Sequence, residues 1–161
     1  MTIADTVAAL GARALRTRWL VRAPIRLYRA GLGFLFGSRL LMLEHLGRRT
    51  GARRYAVLEV VDRPAPGDYI IVSGFGGQAQ WYRNIHAEPR VRVWTGHHRA
   101  TPATATPLTG PQAAAALDNY IRAHPRAWKN LRAAIEHATG APVETLPMVR
   151  LRLNTPGCTR P

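Results

Sequence analysis

The chain has 161 residues, 47% of them hydrophobic, with 23 basic residues against 9 acidic ones for a formal charge of +14. One domain of that size buries a proper core, and the composition excludes general disorder. The positive excess asks for an anionic partner: a phosphorylated cofactor, a lipid surface or nucleic acid. Lys129 is the only lysine, so a GC-rich genome accounts for arginine over lysine but not for the sign of the charge. A single cysteine, Cys158, rules out an intramolecular disulfide and fits a reducing cytoplasm.

In chain order, residues 3–22 predict a helix: Ile3, Val7, Leu10 and Ala14 recur at helical spacing until Pro24 interrupts. A second helical piece, 25–36, carries Ile25, Leu27, Tyr28, Leu32, Leu35 and Phe36. Seven arginines stand in the first forty residues against one aspartate, with Trp19, Tyr28, Phe34 and Phe36 interleaved. Two readings stand open: an amphipathic helix pair lying on anionic lipid, or helices over the core with their arginines in water. Localisation is therefore expected in the cytoplasm, with peripheral contact at the inner face of the plasma membrane under the first reading. No signal pattern opens the chain, and no apolar run is long enough to span a bilayer. The expected division is 1–38, basic helices, and 39–161, a cofactor-binding domain.

Leu40–Leu46, Arg54–Val61 and Asp68–Phe75 predict strands, with Pro64-Ala65-Pro66-Gly67 as the turn before the third. Gln78–Ala87 predicts a short helix ended by Pro89. Arg90–Thr95 alternates and predicts a strand, and Gly96-His97-His98 turns the chain into another at Arg99–Leu108. A helix follows to about Ala123 with Pro111 in its first turn, then a helix over 125–139 stopped by Gly140 and Pro142. Leu146–Leu153 predicts the last strand. Strands outnumber crossover helices, which favours a mainly β, α+β domain: a small antiparallel barrel with helical additions.

Three constellations carry chemistry. Arg48, Arg49, Arg53 and Arg54 surround Thr50-Gly51; they read as a grip for phosphate and carboxylate, or as a solvated hairpin rim. Gly74-Phe75-Gly76-Gly77 follows a strand and opens a helix, which reads as backbone bared to a ligand. It matches a dinucleotide fingerprint formally, but the following helix is too short, no acidic residue ends Val93-Trp94-Thr95, and the motif sits mid-chain. Trp81, Tyr82 and Asn84 lie within one helical turn and read as a core anchor or as a ring platform with an amide to orient it. His45, on a strand just before the arginines, reads as a core or rim residue or as one lining a pocket. The histidines lack zinc-type spacing, no hydrolase triad is present, and no metal is expected.

The runs Gly47-Arg48-Arg49-Thr50-Gly51…Arg54…Leu58, Ile71-Val72-Ser73-Gly74-Phe75-Gly76, and Trp81-Tyr82-Arg83-Asn84-Ile85…Pro89-Arg90-Val91-Arg92-Val93 come in a fixed order. Together they resemble the deazaflavin (coenzyme F-420)-dependent nitroreductase family, whose members are also described as quinone reductases. The resemblance is strongest over roughly sixty residues and implies a split β-barrel like that of flavin-binding reductases. It implies that Arg48, Arg49, Thr50 and Arg54 hold the phosphate and glutamyl tail. It also implies that Ser73, Gly74, Gly76 and Gly77 face the ring, that Trp81, Tyr82 and Asn84 border it, and that Val57, Leu58, Val72, Phe75 and Arg83 belong to the cofactor site. A deazaflavin has carbon where a flavin has its reactive nitrogen, so it transfers hydride and is a poor one-electron carrier. The implied reaction passes hydride to a quinone, nitroaromatic or enone, with Ser73 or Tyr82 as the candidate proton donor. Departures from the family pattern at Val57 and Gly74 bear on the ring contacts. The alternatives are an FMN reductase, less suited to an arginine-rich tail site, and a non-enzymatic barrel holding a cofactor or lipid. Nucleic acid is set aside because no zinc, helix-turn-helix or RNA-recognition signature accompanies the charge. Oligomeric state is not legible.

Overall fold

A computed structural model describes residues 39–140, 142–143 and 146–154. The expected helices over 3–22 and 25–36, the lipid contact assigned to them, and Cys158 lie outside the described residues. Six strands, β1 (Leu40–Leu46), β2 (Arg53–Asp62), β3 (Asp68–Val72), β4 (Arg90–Thr95), β5 (His98–Pro107) and β6 (Met148–Leu153), close into a barrel in the order β1-β2-β3-β6-β5-β4. Every pairing is antiparallel. Closure leaves no unpaired strand edge for another chain to add to.

The period-two pattern decides which side chains fill the barrel. Leu41 and Leu43 of β1 point inward with Val91 and Val93 of β4, Ala103 and Ala105 of β5, and Val149 and Leu151 of β6. The alternate residues Val61, Ile70, Val72 and Met148 point outward and meet Ala116 and Tyr120 of α2 (Gly110–Ala123) and Ile135 of α3 (Pro125–Thr139). The two helices thus cover the β2–β3–β6 side. A polar link supports this packing: the Tyr120 hydroxyl donates to Glu59 Oε1 at 2.5 Å, and Arg39 Nη2 donates to the same oxygen at 3.1 Å. Burial, then the Glu59 hydrogen bond, pushes the Tyr120 hydroxyl up to about 12, so it remains a donor at neutral pH.

Local chemistry sets the element ends. Thr109 and Gln112 form a reciprocal capping box at the start of α2, with proline in the first turn. Gly140 ends α3 in the left-handed region at φ 70°. β3 stops at Val72, three residues short of the sequence expectation: the Ser73 N–H still donates in register to the Pro147 carbonyl at 2.9 Å, but Pro147 has no N–H to return. The helix expected from Gln78 starts at Gln80 as α1 (Gln80–Ala87), after a single 3-10 turn over Gly76–Gln78. β6 begins at Met148, just after Pro147, which has no N–H to give the ladder.

The register places the chemistry. Leu46 lies opposite Arg53, Arg90 opposite Thr104, and Pro107 opposite Val149. These pairs mark one end of the barrel. The turn over 47–52, the glycine segment 73–79 and α1 therefore all sit at that end. The Pro64–Gly67 and Gly96–His97 turns occupy the other.

Candidate functional site

The arginine turn is a tight loop. Its Gly47 carbonyl accepts from Thr50 N at 3.2 Å and Gly51 N at 2.7 Å, while Gly47 N donates to Ala52 O at 2.8 Å. Gly51 takes φ +65°, a conformation that glycine adopts without a Cβ clash. Gly47 has a different reason to be glycine. A Cβ there would stand 2.9 Å from Arg54 Nε and 3.0 Å from Thr50 Oγ1. The guanidinium of Arg54 and the hydroxyl of Thr50 therefore converge over bare backbone. Arg48, Arg49, Thr50 and Arg54 are all exposed. Among the described residues, none of these three arginines has a carboxylate partner, whereas Arg53 stands 3.9 Å from Glu44.

Next to this turn, α1 divides its residues among three directions. Trp81 and Ile85 pack on the barrel interior. Gln80 and Asn84, one turn apart, face the arginines: Arg48 Nη1 donates to Gln80 Oε1 at 2.9 Å and to Asn84 Oδ1 at 3.0 Å. Tyr82 also packs against the interior cluster, and its ring meets that of His86 edge to face at 4.7 Å. Arg83 points away into solvent. Asn84 is 2% exposed, and its Nδ2 stands 3.1 Å from His45 Nδ1. Both ends of the amide are engaged within the protein, its oxygen by Arg48 and its nitrogen by His45. Burial, with a smaller effect from Arg54, pushes His45 down to about 4 against the opposing effects of a hydrogen bond at Leu46 and the Glu44 charge. His45 is neutral at physiological pH.

The glycine segment is built around Ser73. Its hydroxyl donates to the Gly76 carbonyl at 2.7 Å, and Gly76 N returns a bond to Ser73 O at 3.0 Å with Gly76 at φ +65°. Gly74 abuts Ile135 of α3, whose Cγ1 would be 3.4 Å from an added Cβ. Gly76 and Gly77 have open space where a Cβ would stand, and Phe75 is 49% exposed. Ser73 itself is buried. Its proton is committed to Gly76, which gives it a turn-forming role in place of a proton-donating one. Ser73→Ala is expected to lower stability in urea by about 1–2 kcal/mol, from the lost bond and the orphaned carbonyl, while the pH profile of turnover keeps its position.

The remaining candidate residues divide by the pleat. Leu58 faces the barrel interior, while Val57 is in register with Met42 on the outward face of the sheet, where Met42 is itself buried. The two side chains cannot line one wall. Val72 is buried under α2 and α3, which leaves only its backbone for a ligand. Sequence reasoning missed the partnership of His45, Gln80 and Asn84 with Arg48. The signal was present: His45 continues the inward positions of Leu41 and Leu43, where a polar side chain must find a partner. Among the described residues, no three His, Cys, Asp or Glu side chains gather as a metal site, and no helix is long and apolar enough to cross a membrane.

A family model described as F420H(2)-dependent quinone reductase matches residues 20–146. No curated protein matches the chain. Among solved structures, one described as an F420-H2 dependent reductase (FDR-A) shares 24% identity, with 71% of this chain and 94% of that chain covered at a TM-score of 0.51. A protein of unknown function, Atu2129 from Agrobacterium tumefaciens str. C58, shares 19% identity over 83% of this chain and 56% of that chain at a TM-score of 0.53. At these identities the structural likeness shows the barrel fold, which is that of the split-barrel proteins.

Proposed function

The chain belongs to the F420H(2)-dependent quinone reductase family, and from that premise we propose that it reduces a quinone with hydride from coenzyme F-420, holding the coenzyme at the barrel end just described. Nitroaromatics and enones are further acceptors of matching chemistry: flat, electron-poor and able to take a hydride. The observation that carries this reading is the meeting, at one end of the barrel, of a glycine turn with bare backbone and an arginine turn whose Arg48, Arg49 and Arg54 have no carboxylate partner among the described residues. The residues suit the coenzyme. Arg49, Arg54 and Thr50 offer forked and neutral donors to phosphate or carboxylate. Gly76 and Gly77 let a ring approach the main chain, and half-buried Trp81 and Tyr82 border that approach with apolar surface.

When bound, the reduced deazaflavin supplies the hydride. The work of the chain is to orient, to exclude water and to manage a proton. Phe75, exposed between glycines, is placed to cover a bound ring from solvent. The Tyr82 hydroxyl is the proton donor we favour, because Ser73 spends its own on Gly76.

Parallel equilibrium titrations with coenzyme F-420, FMN and NADP test the reading, followed by oxidation of the reduced coenzyme with menadione. The expected result is saturable binding of F-420 tighter than FMN, and turnover with the quinone. Binding without turnover would favour a carrier protein, and preference for FMN would overturn the coenzyme assignment.

A further inference from the structure

We propose that His45 and Asn84 are positioning residues for the reaction: they lock Arg48 so that its unengaged edge is already aimed at the anionic end of the coenzyme. The inference rests on the proposed function and adds two residues that reach the ligand only through a third.

Asn84 Oδ1 accepts twice from the same residue, from Arg48 N at 3.2 Å and from Arg48 Nη1 at 3.0 Å. A side-chain amide carries its acceptor and donor on opposite atoms. With Oδ1 turned to Arg48, Nδ2 must point at His45 Nδ1, 3.1 Å away. Nδ2 can only donate, so Nδ1 must present a lone pair, and the ring proton sits on Nε2. His45 is 4% exposed, and the charged groups facing it are Glu44 beside it on β1 and Arg54 opposite it on β2. Asn84 is 2% exposed, so its amide is shielded from solvent. The chain His45–Asn84–Arg48 therefore has one self-consistent set of proton positions, and it runs from the buried strand to the exposed guanidinium.

Gln80 Oε1 takes the same Nη1 at 2.9 Å from the solvent side. Nη1 is spent inside the protein, while Nε and Nη2 remain as a parallel pair of donors, the geometry that matches a phosphate or carboxylate. An arginine free in solvent would lose this freedom only on binding. Here folding has already removed it, and preorganisation of that kind is worth about tenfold in affinity for one side chain.

The test compares native protein with His45→Leu, which removes the acceptor, and His45→Gln, whose Oε1 can replace Nδ1. Oxidised coenzyme F-420 is titrated into each, and the ring nitrogens of His45 and Nε of Arg48 are followed by 15N NMR. The expected result is about tenfold weaker binding for His45→Leu, near-native binding for His45→Gln, and a loss expressed in KM rather than kcat. The NMR should show a bare Nδ1 and a protonated Nε2 in native protein without ligand. Should His45→Leu not fold, Gln80→Ala removes the exposed acceptor of the same Nη1 and should weaken binding several-fold. Equal affinity for native protein and the Leu or Ala variant, or a protonated Nδ1, would overturn the positioning inference alone. Native protein that fails to bind the coenzyme would instead remove the functional reading, and this inference with it.

Discussion

Replacing Arg49 and Arg54 together by alanine should weaken binding of coenzyme F-420 by about two to four orders of magnitude while leaving the barrel folded. Each is exposed, and neither has a carboxylate partner among the described residues, so removing them breaks no structural ion pair. A charge-assisted hydrogen bond to an anion contributes about 1.5–3 kcal/mol, or ten- to hundredfold per residue. The surviving affinity should also lose part of its salt dependence, since fewer cations are screened. Lysine at the same positions should recover only part of the loss, because an ammonium keeps the charge but not the planar fork. Arg126→Ala, an exposed arginine on α3, serves as the control for net charge. If Arg126→Ala weakens binding as much as the double variant does, the chain's overall charge is responsible and the turn is no specific grip. An unchanged double variant would remove the arginine turn from the site altogether.

The fold was legible because its elements are locally consistent. β1 and β4 fall on the residues expected, β4 with its alternation, and the C-terminal helices begin at Gly110, just before Pro111, and at Pro125, and stop where sequence predicts. The three motifs could also be read, each from its own residues. Their meeting at one barrel end could not, because strand register rests on pairings between residues such as Thr106 and Arg150 that are far apart in sequence. The division of labour inside each motif was hidden for the same reason. Asn84 beside Trp81 invites the reading of a ligand platform, yet the helix turns its amide toward Arg48 and His45. Ser73 before a glycine run suggests a donor to substrate, yet its hydroxyl closes its own turn. A polar side chain declares in sequence that it needs a partner, but only packing says whether that partner is ligand or protein.

Acid should destabilise the native protein through His45 in a window that a single substitution removes. Its ordinary value is 6.5, and burial pushes it down to about 4 in the folded state. The unfolded chain therefore takes up the proton first. The stability tied to a neutral His45 is fully present above pH 6.5, falls as pH drops from 6.5 to about 4, and does not change further below that. A gap of this size corresponds to on the order of 3 kcal/mol. The lowered carboxylates titrate in a more acid range: Glu88 is held down to about 2 by its hydrogen bonds from Arg90, and Asp68 lies below its usual value through Arg152. Urea denaturation of native protein and His45→Gln, repeated from pH 7.5 to 4, separates the two groups, since carboxylates common to both cancel in the difference. The native curve should fall more steeply, and the variant should become the more stable of the two near pH 4. Parallel curves would mean that His45 is not held neutral by burial. The same proton reaches the ligand grip. Once Nδ1 is protonated, it faces Asn84 Nδ2 as donor against donor, and the amide can satisfy His45 only by turning its oxygen away from Arg48. Coenzyme affinity of the folded native protein should therefore hold through that stability window and decline only as pH falls through about 4, while in His45→Gln, whose acceptor does not titrate, it should hold lower still.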